Sequence, residues 1–162
     1  MVRVNKSITI NSDKYKIWGF LSDLSLGLSF NRFHKEINFN KSLSIHSNQE
    51  IIIKHNFGFG IVDMNLRVLD SIKYERLMFQ EYSNDIKNKI FTHKSTFEIK
   101  DNIKNCTLNY LVTGSFNNKV ADISFTPILN GVMIEELTKI KSAIESLENI
   151  SNSSKQKQYN PI

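Results

Sequence analysis

Apolar and polar side chains alternate over residues 2–10, VRVNKSITI, with Lys6 the one interruption of the apolar row. This period of two predicts a half-buried strand. The period then changes, because apolar side chains follow at helical spacing from Asp13, whose carboxylate is a good helix cap, as far as Ser22. A second short helical segment is predicted at Leu24–Phe30. The chain therefore begins with one strand and two short helices.

Strand patterns continue in an almost unbroken series through the middle of the chain. Apolar side chains recur at every second position within each segment, and glycines or polar turn residues separate the segments. The clearest turn is Gly58-Phe59-Gly60, which predicts a hairpin. The predicted strands lie at 37–45, 50–57, 61–69, 76–82, 90–99 and 105–116.

The last element has a helical period. Thr126 is predicted to cap this helix and Pro127 to occupy its first position, where the missing N–H costs no hydrogen bond. If it runs to Ile150, the helix is roughly 35 Å long. Charged residues, Glu135 and Glu136 among them, are placed on its outer side. The apolar stripe consists of Phe125, Ile128, Leu129, Val132, Met133, Leu137, Ile140, Ile144 and Leu147.

This order of elements predicts an α+β protein. One strand, two short helices, six more strands and a long helix are expected to form a curved seven-stranded antiparallel sheet wrapped around the final helix. We expect residues 1–150 to be a single domain and the polar residues 151–162 to be a disordered tail. A gap where the sheet curves away from the helix would suit an apolar ligand.

Several segments within residues 1–150 carry a resemblance to a known family: VRVNKSITI, DKYKIWGFLSDL, the strand pair HKSTFEIK and NCTLNYLVTG, and LTKIKSAIESL. In these segments, and in the order of its elements, the chain resembles the START-like superfamily, also called SRPBCC. Two departures are that FNRFHKEI lacks the Trp-x-Pro usual after the second helix, and that Cys106-Thr107 stands where relatives often have Gly-Thr.

The resemblance implies the helix-grip fold of the birch-pollen allergen, with a long C-terminal helix packed across the sheet and a hydrophobic cavity between the two. Members of the superfamily include lipid and sterol carriers, polyketide cyclases, coenzyme-Q-binding proteins and a carbon monoxide dehydrogenase accessory subunit. The fold therefore does not select one function.

Charge and composition exclude other classes of function. The net charge of +5 is spread along the 162 residues without a run of Lys or Arg, so no nucleic-acid partner is expected. The single cysteine, Cys106, excludes an internal disulfide and a cysteine-built zinc site. Apolar runs stay well below membrane-spanning length and no signal-peptide pattern is present, so a cytoplasmic location is expected.

Strand phasing places some polar side chains on apolar faces. Glu81 is one of them if Leu77 and Phe79 face inward, but the opposite phase, with Met78 and Tyr82 inward, fits the pattern nearly as well. In the first phase an even hairpin sets Glu81 opposite His93. His34 and His46 are expected to be solvated, and Trp18 to pack in the core. The residues expected to line the cavity, with Glu81 as a further polar contact, are His55, Phe57, Met64, Phe79, Phe91, His93, Phe97, Tyr110, Leu129 and Met133.

These residues favour non-catalytic binding of a hydrophobic or amphipathic small molecule by a carrier or sensor, which needs no catalytic residue. One alternative is a lyase or isomerase of the polyketide cyclase or dehydratase type, in which His93 and Glu81 move protons. A second alternative is an accessory protein that docks on a protein partner or a membrane surface. No metal is expected, because His55, Glu81 and His93 form no close-spaced ligand motif, and no cofactor is expected. Ligand identity and oligomeric state stay open.

Overall fold

The computed structural model describes residues 1–38, 45, 50–58, 60–84 and 90–157. Its strands pair into one antiparallel sheet that curls into a half-barrel, with a long helix packed across it, which confirms the α+β helix-grip architecture. The elements are β1 (Val2–Ile10), α1 (Lys14–Ser22), α2 (Leu24–Gly27), β2 (His34–Asn38), β3 (Glu50–Asn56), β4 (Ile61–Ile72), β5 (Arg76–Tyr82), β6 (Thr92–Asp101), β7 (Cys106–Ser115) and α3 (Lys119–Lys157).

The strand order is β1-β7-β6-β5-β4-β3-β2, so the first and last strands of the chain lie side by side. All other neighbours in the sheet are consecutive in sequence, which is why short turns suffice to join them. β1 pairs with β7 along its whole length, from Val2 opposite Gly114 to Ile10 opposite Cys106. This pairing brings the start of the chain next to the segment that leads into α3.

Two aspartates set the bounds of the short helices. The carboxylate of Asp13 accepts a hydrogen bond from the backbone N–H of Lys16 at 2.9 Å and caps α1. Asp23 ends α1, because its own N–H donates to the carbonyl of Gly19. Its carboxylate then accepts from the N–H of Ser25 at 3.0 Å and starts α2.

The beginning of α3 differs from the sequence expectation. The helix starts at Lys119, and Pro127 lies inside it instead of at its first position. Asn118 is the residue that caps it, since its side-chain oxygen accepts from the N–H groups of Val120 and Ala121. A proline is most common in the first turn, so the sequence pattern placed the start too late. The helix is described as far as Lys157, beyond the predicted end at Ile150.

The bounds of β2 and α2 also differ from the predicted ones. β2 spans His34–Asn38, where the pattern predicted a strand at 37–45, and residues 39–44 of that prediction lie outside the described residues. α2 ends at Gly27 and not at Phe30. A side chain at Gly27 would lie only 2.8 Å from the carbonyl oxygen of Leu21, so glycine permits the two short helices to pack closely.

The core lies between the concave face of the sheet and one face of α3. Trp18 is buried in it, as predicted, at 8% exposure, and so is Cys106 at 1%. The buried apolar residues of α3 recur at helical spacing and are Phe125, Leu129, Val132, Met133, Leu137, Ile140 and Ile144. In the described part of the chain, no helix combines the length and the apolar character needed to cross a membrane.

Candidate functional site

Strand alternation gathers four titratable side chains on the concave face of the sheet. Glu81 of β5 is opposite His93 of β6, so the predicted register is confirmed. His34, the first residue of β2, is opposite His55 of β3. Because the sheet curls, these two pairs meet across β4, which separates β3 from β5. We refer to His34, His55, Glu81 and His93 as the His–Glu cluster.

The carboxylate of Glu81 lies at the centre of the His–Glu cluster. Its Oε2 is 2.7 Å from Nε2 of His55 and 3.5 Å from Nε2 of His34. Its Oε1 is 3.4 Å from Nε2 of His93. The four side chains are between 1% and 8% exposed. The cluster therefore has one carboxylate, three imidazoles and little contact with water.

The position of His34 corrects the expectation that this histidine is solvated. Its side chain is 3% exposed, because β2 begins at His34 and turns it towards the sheet interior. Nδ1 of His34 is 2.8 Å from the carbonyl oxygen of Leu28. Strand phasing missed this residue because the predicted strand began three positions later. The other histidine expected to be solvated, His46, lies outside the described residues.

The histidines control the charge of Glu81. Burial opposes ionisation of this carboxyl, but the charges of His93 and His34 and the close approach of the His34 and His55 rings outweigh it and hold the pKa of Glu81 well below its usual range. Burial also opposes a charge on His34, yet Glu81 outweighs it and raises the pKa of His34. At His55 burial dominates and lowers the pKa. The pKa values of His34 and His55 are therefore shifted in opposite directions, although both rings face the same carboxylate.

A second buried carboxyl reaches the same region from the helix. Nδ2 of Asn31 donates to Oε2 of Glu136 on α3 at 3.1 Å, and the hydroxyl of Tyr110 is hydrogen-bonded to the same carboxyl. Burial raises the pKa of Glu136 to about 7. Burial also raises the pKa of Tyr110 well above its ordinary value, with a smaller contribution from Glu136. These contacts tie α3 to β7 and to the loop before β2.

The burial of Glu136 corrects its sequence-based placement on the outer side of the helix. Its exposure is 2%, whereas that of Glu135 is larger and Glu135 pairs with Lys139 at 2.6 Å. Position 136 follows Val132 by four and precedes Ile140 by four, so it belongs to the same buried stripe as these two residues. The helical spacing thus indicated that position 136 is buried, but a glutamate is charged and is normally expected on the outside.

Four phenylalanine rings lie between the His–Glu cluster and the pocket described in the next paragraph. The ring of Phe57 stacks on that of His55 at 5.0 Å between centroids, and the ring of Phe91 stacks on that of His93 at 4.8 Å. Phe116 and Phe125 close the layer, since each lies within 6.5 Å of both Phe57 and Phe91. We call these four phenylalanines the ring layer.

A pocket of about 350 Å³ lies on the outer side of the ring layer. Ile128, which the pattern placed on the buried stripe of the helix, is 54% exposed there. A neighbouring pocket of about 360 Å³ shares Phe57 and Ile128 and also contacts Arg32 and Lys35. The residues that line the first pocket are Phe57, Phe116, Asn118, Ala121, Ser124, Phe125 and Ile128.

The residues expected to line a central cavity lie mainly in the core. Phe57 lines both pockets described above. The rings of Phe97 and Tyr110 stack on each other at 4.2 Å, and so occupy the middle of the grip. The remaining expected apolar lining residues are buried at 4% exposure or less: Met64, Phe79, Phe91, Leu129 and Met133.

The sequence matches no family model and none of the curated proteins compared with it. The fold does match solved structures. The hypothetical protein jhp0584 from Helicobacter pylori superposes with a TM-score of 0.71 at 12% identity, over 87% of this chain and 86% of that one. The Aha1 dimer from Colwellia psychrerythraea gives 0.63 at 19% identity, over 90% and 97%.

A third similar structure is the di-domain ARO/CYC StfQ from the steffimycin biosynthetic pathway. Its TM-score is 0.70 at 7% identity, over 91% of this chain and 52% of StfQ. At such low identities these matches establish a shared fold, and they agree with the START-like resemblance of the sequence motifs.

Proposed function

We propose that this protein binds an amphipathic small molecule in the pocket outside the ring layer and does not change it chemically. The observation that carries the proposal is the composition of that pocket. Among the described residues, three phenylalanines, an alanine and an isoleucine form its walls, and only Asn118 and Ser124 add polar groups. A concave, mostly apolar surface with a few polar groups is typical of small-molecule sites, and about 350 Å³ lies within their usual range of volumes.

The hydrophobic effect is expected to supply most of the affinity of the pocket for its ligand. Each methylene group that moves from water into the pocket contributes about 0.8 kcal/mol. The exposed part of Ile128 is covered at the same time. The ring layer offers flat aromatic surface, so rings as well as alkyl chains suit the pocket.

The cations at the neighbouring pocket favour a ligand that carries an anionic group. Lys35 is exposed at its edge, and Arg32 is exposed beside it and only loosely paired with Glu135, at 3.9 Å. The apolar part of a molecule in the first pocket would lie next to these two cations. A carboxylate, sulfonate or phosphate with an apolar body therefore fits the pair of pockets best.

The enzyme hypothesis has a specific observation in its favour as well. Glu81 and His93 are 3.4 Å apart in a buried setting, within the looser distances common before substrate binds. However, the carboxylate is shared with His34 and His55, and the ring layer lies between it and the pocket. Proton transfer to a molecule in this pocket would require the rings of Phe57 and Phe91 to move aside, although His93 also lines a separate pocket of about 440 Å³. Binding without chemistry requires no such movement.

Two matched serine variants test the proposal. Ser124 and Ser142 are both exposed residues of α3, but only Ser124 lines the pocket. Ser124→Trp fills the pocket, whereas Ser142→Trp adds the same side chain elsewhere on the helix. Binding of the anionic dye anilinonaphthalene sulfonate is followed by fluorescence titration of the full-length protein.

We expect saturable binding by the unaltered protein, at least a tenfold loss of affinity in Ser124→Trp, and no loss in Ser142→Trp. Thermal melts check that both variants are folded. Absence of saturable binding, or equal affinity in the two tryptophan variants, would contradict the proposed site.

A further inference from the structure

Three atoms of the His–Glu cluster are close together without forming aligned hydrogen bonds. Nε2 of His34, Nε2 of His55 and Oε2 of Glu81 are buried and have no hydrogen-bond partner of good geometry among the described residues. This holds although Oε2 is only 2.7 Å from Nε2 of His55 and 3.5 Å from Nε2 of His34. Buried polar atoms normally have a partner. A group that can bind all three atoms at once would remove the deficit.

The orientation of His34 is that of a metal ligand. Its Nδ1 is 2.8 Å from the carbonyl oxygen of Leu28, and a carbonyl can only accept a hydrogen bond. Nδ1 therefore carries a proton, and in the neutral ring Nε2 presents its lone pair towards Glu81. Metal-bound histidines are held by a backbone carbonyl or a carboxylate on their other nitrogen in the same way.

We propose that His34 and His55, each through Nε2, and Glu81, through Oε2, form a binding site for a divalent transition-metal ion of the zinc type. Ligand atoms of these three residues lie within 4.8 Å of one another. Around a tetrahedral zinc ion with bonds of 2.0–2.1 Å, neighbouring ligand atoms are roughly 3.3–3.4 Å apart. The 3.5 Å between Nε2 of His34 and Oε2 of Glu81 matches this value. The 2.7 Å between Nε2 of His55 and the same oxygen has to increase by about 0.6 Å.

The chemistry of the donors selects the class of ion. Two imidazole nitrogens and one carboxylate oxygen suit zinc and its first-row neighbours, whereas calcium and magnesium prefer oxygen donors alone. His93 contacts the other oxygen of Glu81, at 3.4 Å, and is placed to hold the carboxylate in position. Three protein ligands leave a tetrahedral ion one position for a small non-protein ligand.

This site is separate from the pocket of the proposed function. The ring of Phe57 stacks on His55 and has its other side towards the pocket, so the proposed ligands themselves do not line the pocket. A metal ion can therefore be bound whether or not an amphipathic ligand is. The two proposals fail or succeed independently.

A matched pair of buried glutamates provides the test. Glu81→Gln removes a proposed ligand, and Glu136→Gln makes the same change in a buried carboxyl outside the trio. Zinc binding to the full chain, stripped of metal with a chelator, is measured by calorimetry. Thermal melts establish that each variant is folded.

We expect one zinc ion per chain. Affinity should fall at least a hundredfold in Glu81→Gln and change less than threefold in Glu136→Gln. Weak binding of several ions per chain, or equal affinity in both variants, would overturn the site.

A measurement on the unaltered protein covers the case in which Glu81→Gln does not fold. The ring-nitrogen NMR signals of His34 and His55 should move on addition of one equivalent of zinc, with Nε2 showing the larger change. Ring-nitrogen signals of His34 and His55 that stay unchanged at one equivalent would refute the assignment. Ser124→Trp, which blocks the pocket, should bind zinc like the unaltered protein.

Discussion

At the scale of single residues, the histidines and two glutamates determine what the interior can do. Glu81 is ionised in spite of complete burial, because imidazoles face both of its oxygens. At Glu136 burial outweighs the nearby charges of His34 and His93 and raises the pKa to about 7. The same residue type therefore differs in charge at two buried positions near neutral pH.

The raised pKa of Glu136 predicts a pH dependence of stability. Its ordinary pKa is 4.5 and its folded value about 7, so the folded state binds more protons between these limits. The contribution of Glu136 to the free energy of unfolding should therefore be largest below pH 4.5 and fall as pH rises towards 7, by on the order of 3 kcal/mol.

Urea unfolding of the unaltered protein and of Glu136→Gln, at several pH values with a chelator present, measures this contribution. The groups that face Glu136 are His34, Glu81, His93 and Tyr110, and they remain in the variant. The difference in stability between the two proteins should thus change over pH 4.5–7 and be constant above it. A constant difference throughout would show that Glu136 is ionised in the fold.

Residue patterns predicted part of the candidate site. The period of two identified His55, Glu81 and His93 as inward-facing, because alternation is a local property of a strand. His34 was missed because the strand begins at that residue, and strand ends are set by pairing with β3 and not by local pattern. Glu136 was missed because charge normally places a side chain outside, and here Asn31 and Tyr110 compensate its burial.

At the scale of elements, close approach of β6 and β7 positions the His–Glu cluster. A side chain at Gly114 would have its Cβ 2.5 Å from Cβ of His93 and 2.6 Å from the carbonyl oxygen of Thr92. Glycine therefore lets β7 pass directly beside His93. Only the pairing of the two strands, which sequence alternation does not specify, makes this glycine necessary.

Two glycine variants test this account of the strand contact. Gly114→Ala should destabilise the fold by about 1–3 kcal/mol through overpacking. Gly131→Ala is the control, since an added Cβ there has no atom within 4 Å and the residue lies in α3. That change should stabilise the protein by about 0.5–1 kcal/mol. Chemical unfolding compares them, and a neutral effect of Gly114→Ala would contradict the close contact.

The elements themselves were largely predictable. Seven strands and two short helices followed from the change between periods of two and 3.6 and from the aspartates that cap the helices. The start of α3 could not be predicted in the same way, because proline is favourable at a helix start and unfavourable inside a helix, and this placed the expected start at Pro127. Capping by Asn118 and the hydrogen bond from the backbone N–H of Phe116 to the carboxylate of Asp122 outweigh that preference.

At the scale of the whole molecule, side chains fill the space between the sheet and α3, and the apolar pocket lies outside the ring layer. Tyr110 and Phe97 stack in the middle, and the ring layer ends where the apolar pocket begins. The order of elements predicted a gap between the sheet and the final helix. The position of that gap depends on which side chains fill the space between the two. That information requires three-dimensional packing.

The basic edge of the neighbouring pocket predicts a preference for anionic ligands. Lys35→Glu reverses the charge of one of its two cations. Affinity for dodecanoate should fall about tenfold, whereas affinity for dodecanol should change less than twofold, because only the former carries a charge. Displacement of the bound dye measures both. Equal losses for the two molecules would mean that the ligand's charge does not contact this edge.

The proposed function requires an amphipathic molecule to occupy the pocket outside the ring layer. NMR chemical-shift mapping of the full chain during titration with anilinonaphthalene sulfonate tests it most directly. The account predicts saturable shifts concentrated at Phe57, Ala121, Phe125 and Ile128, which surround the pocket. Shifts that are absent, or that concentrate on the outer face of the sheet at Arg3, Thr96 and Asn109, would contradict it.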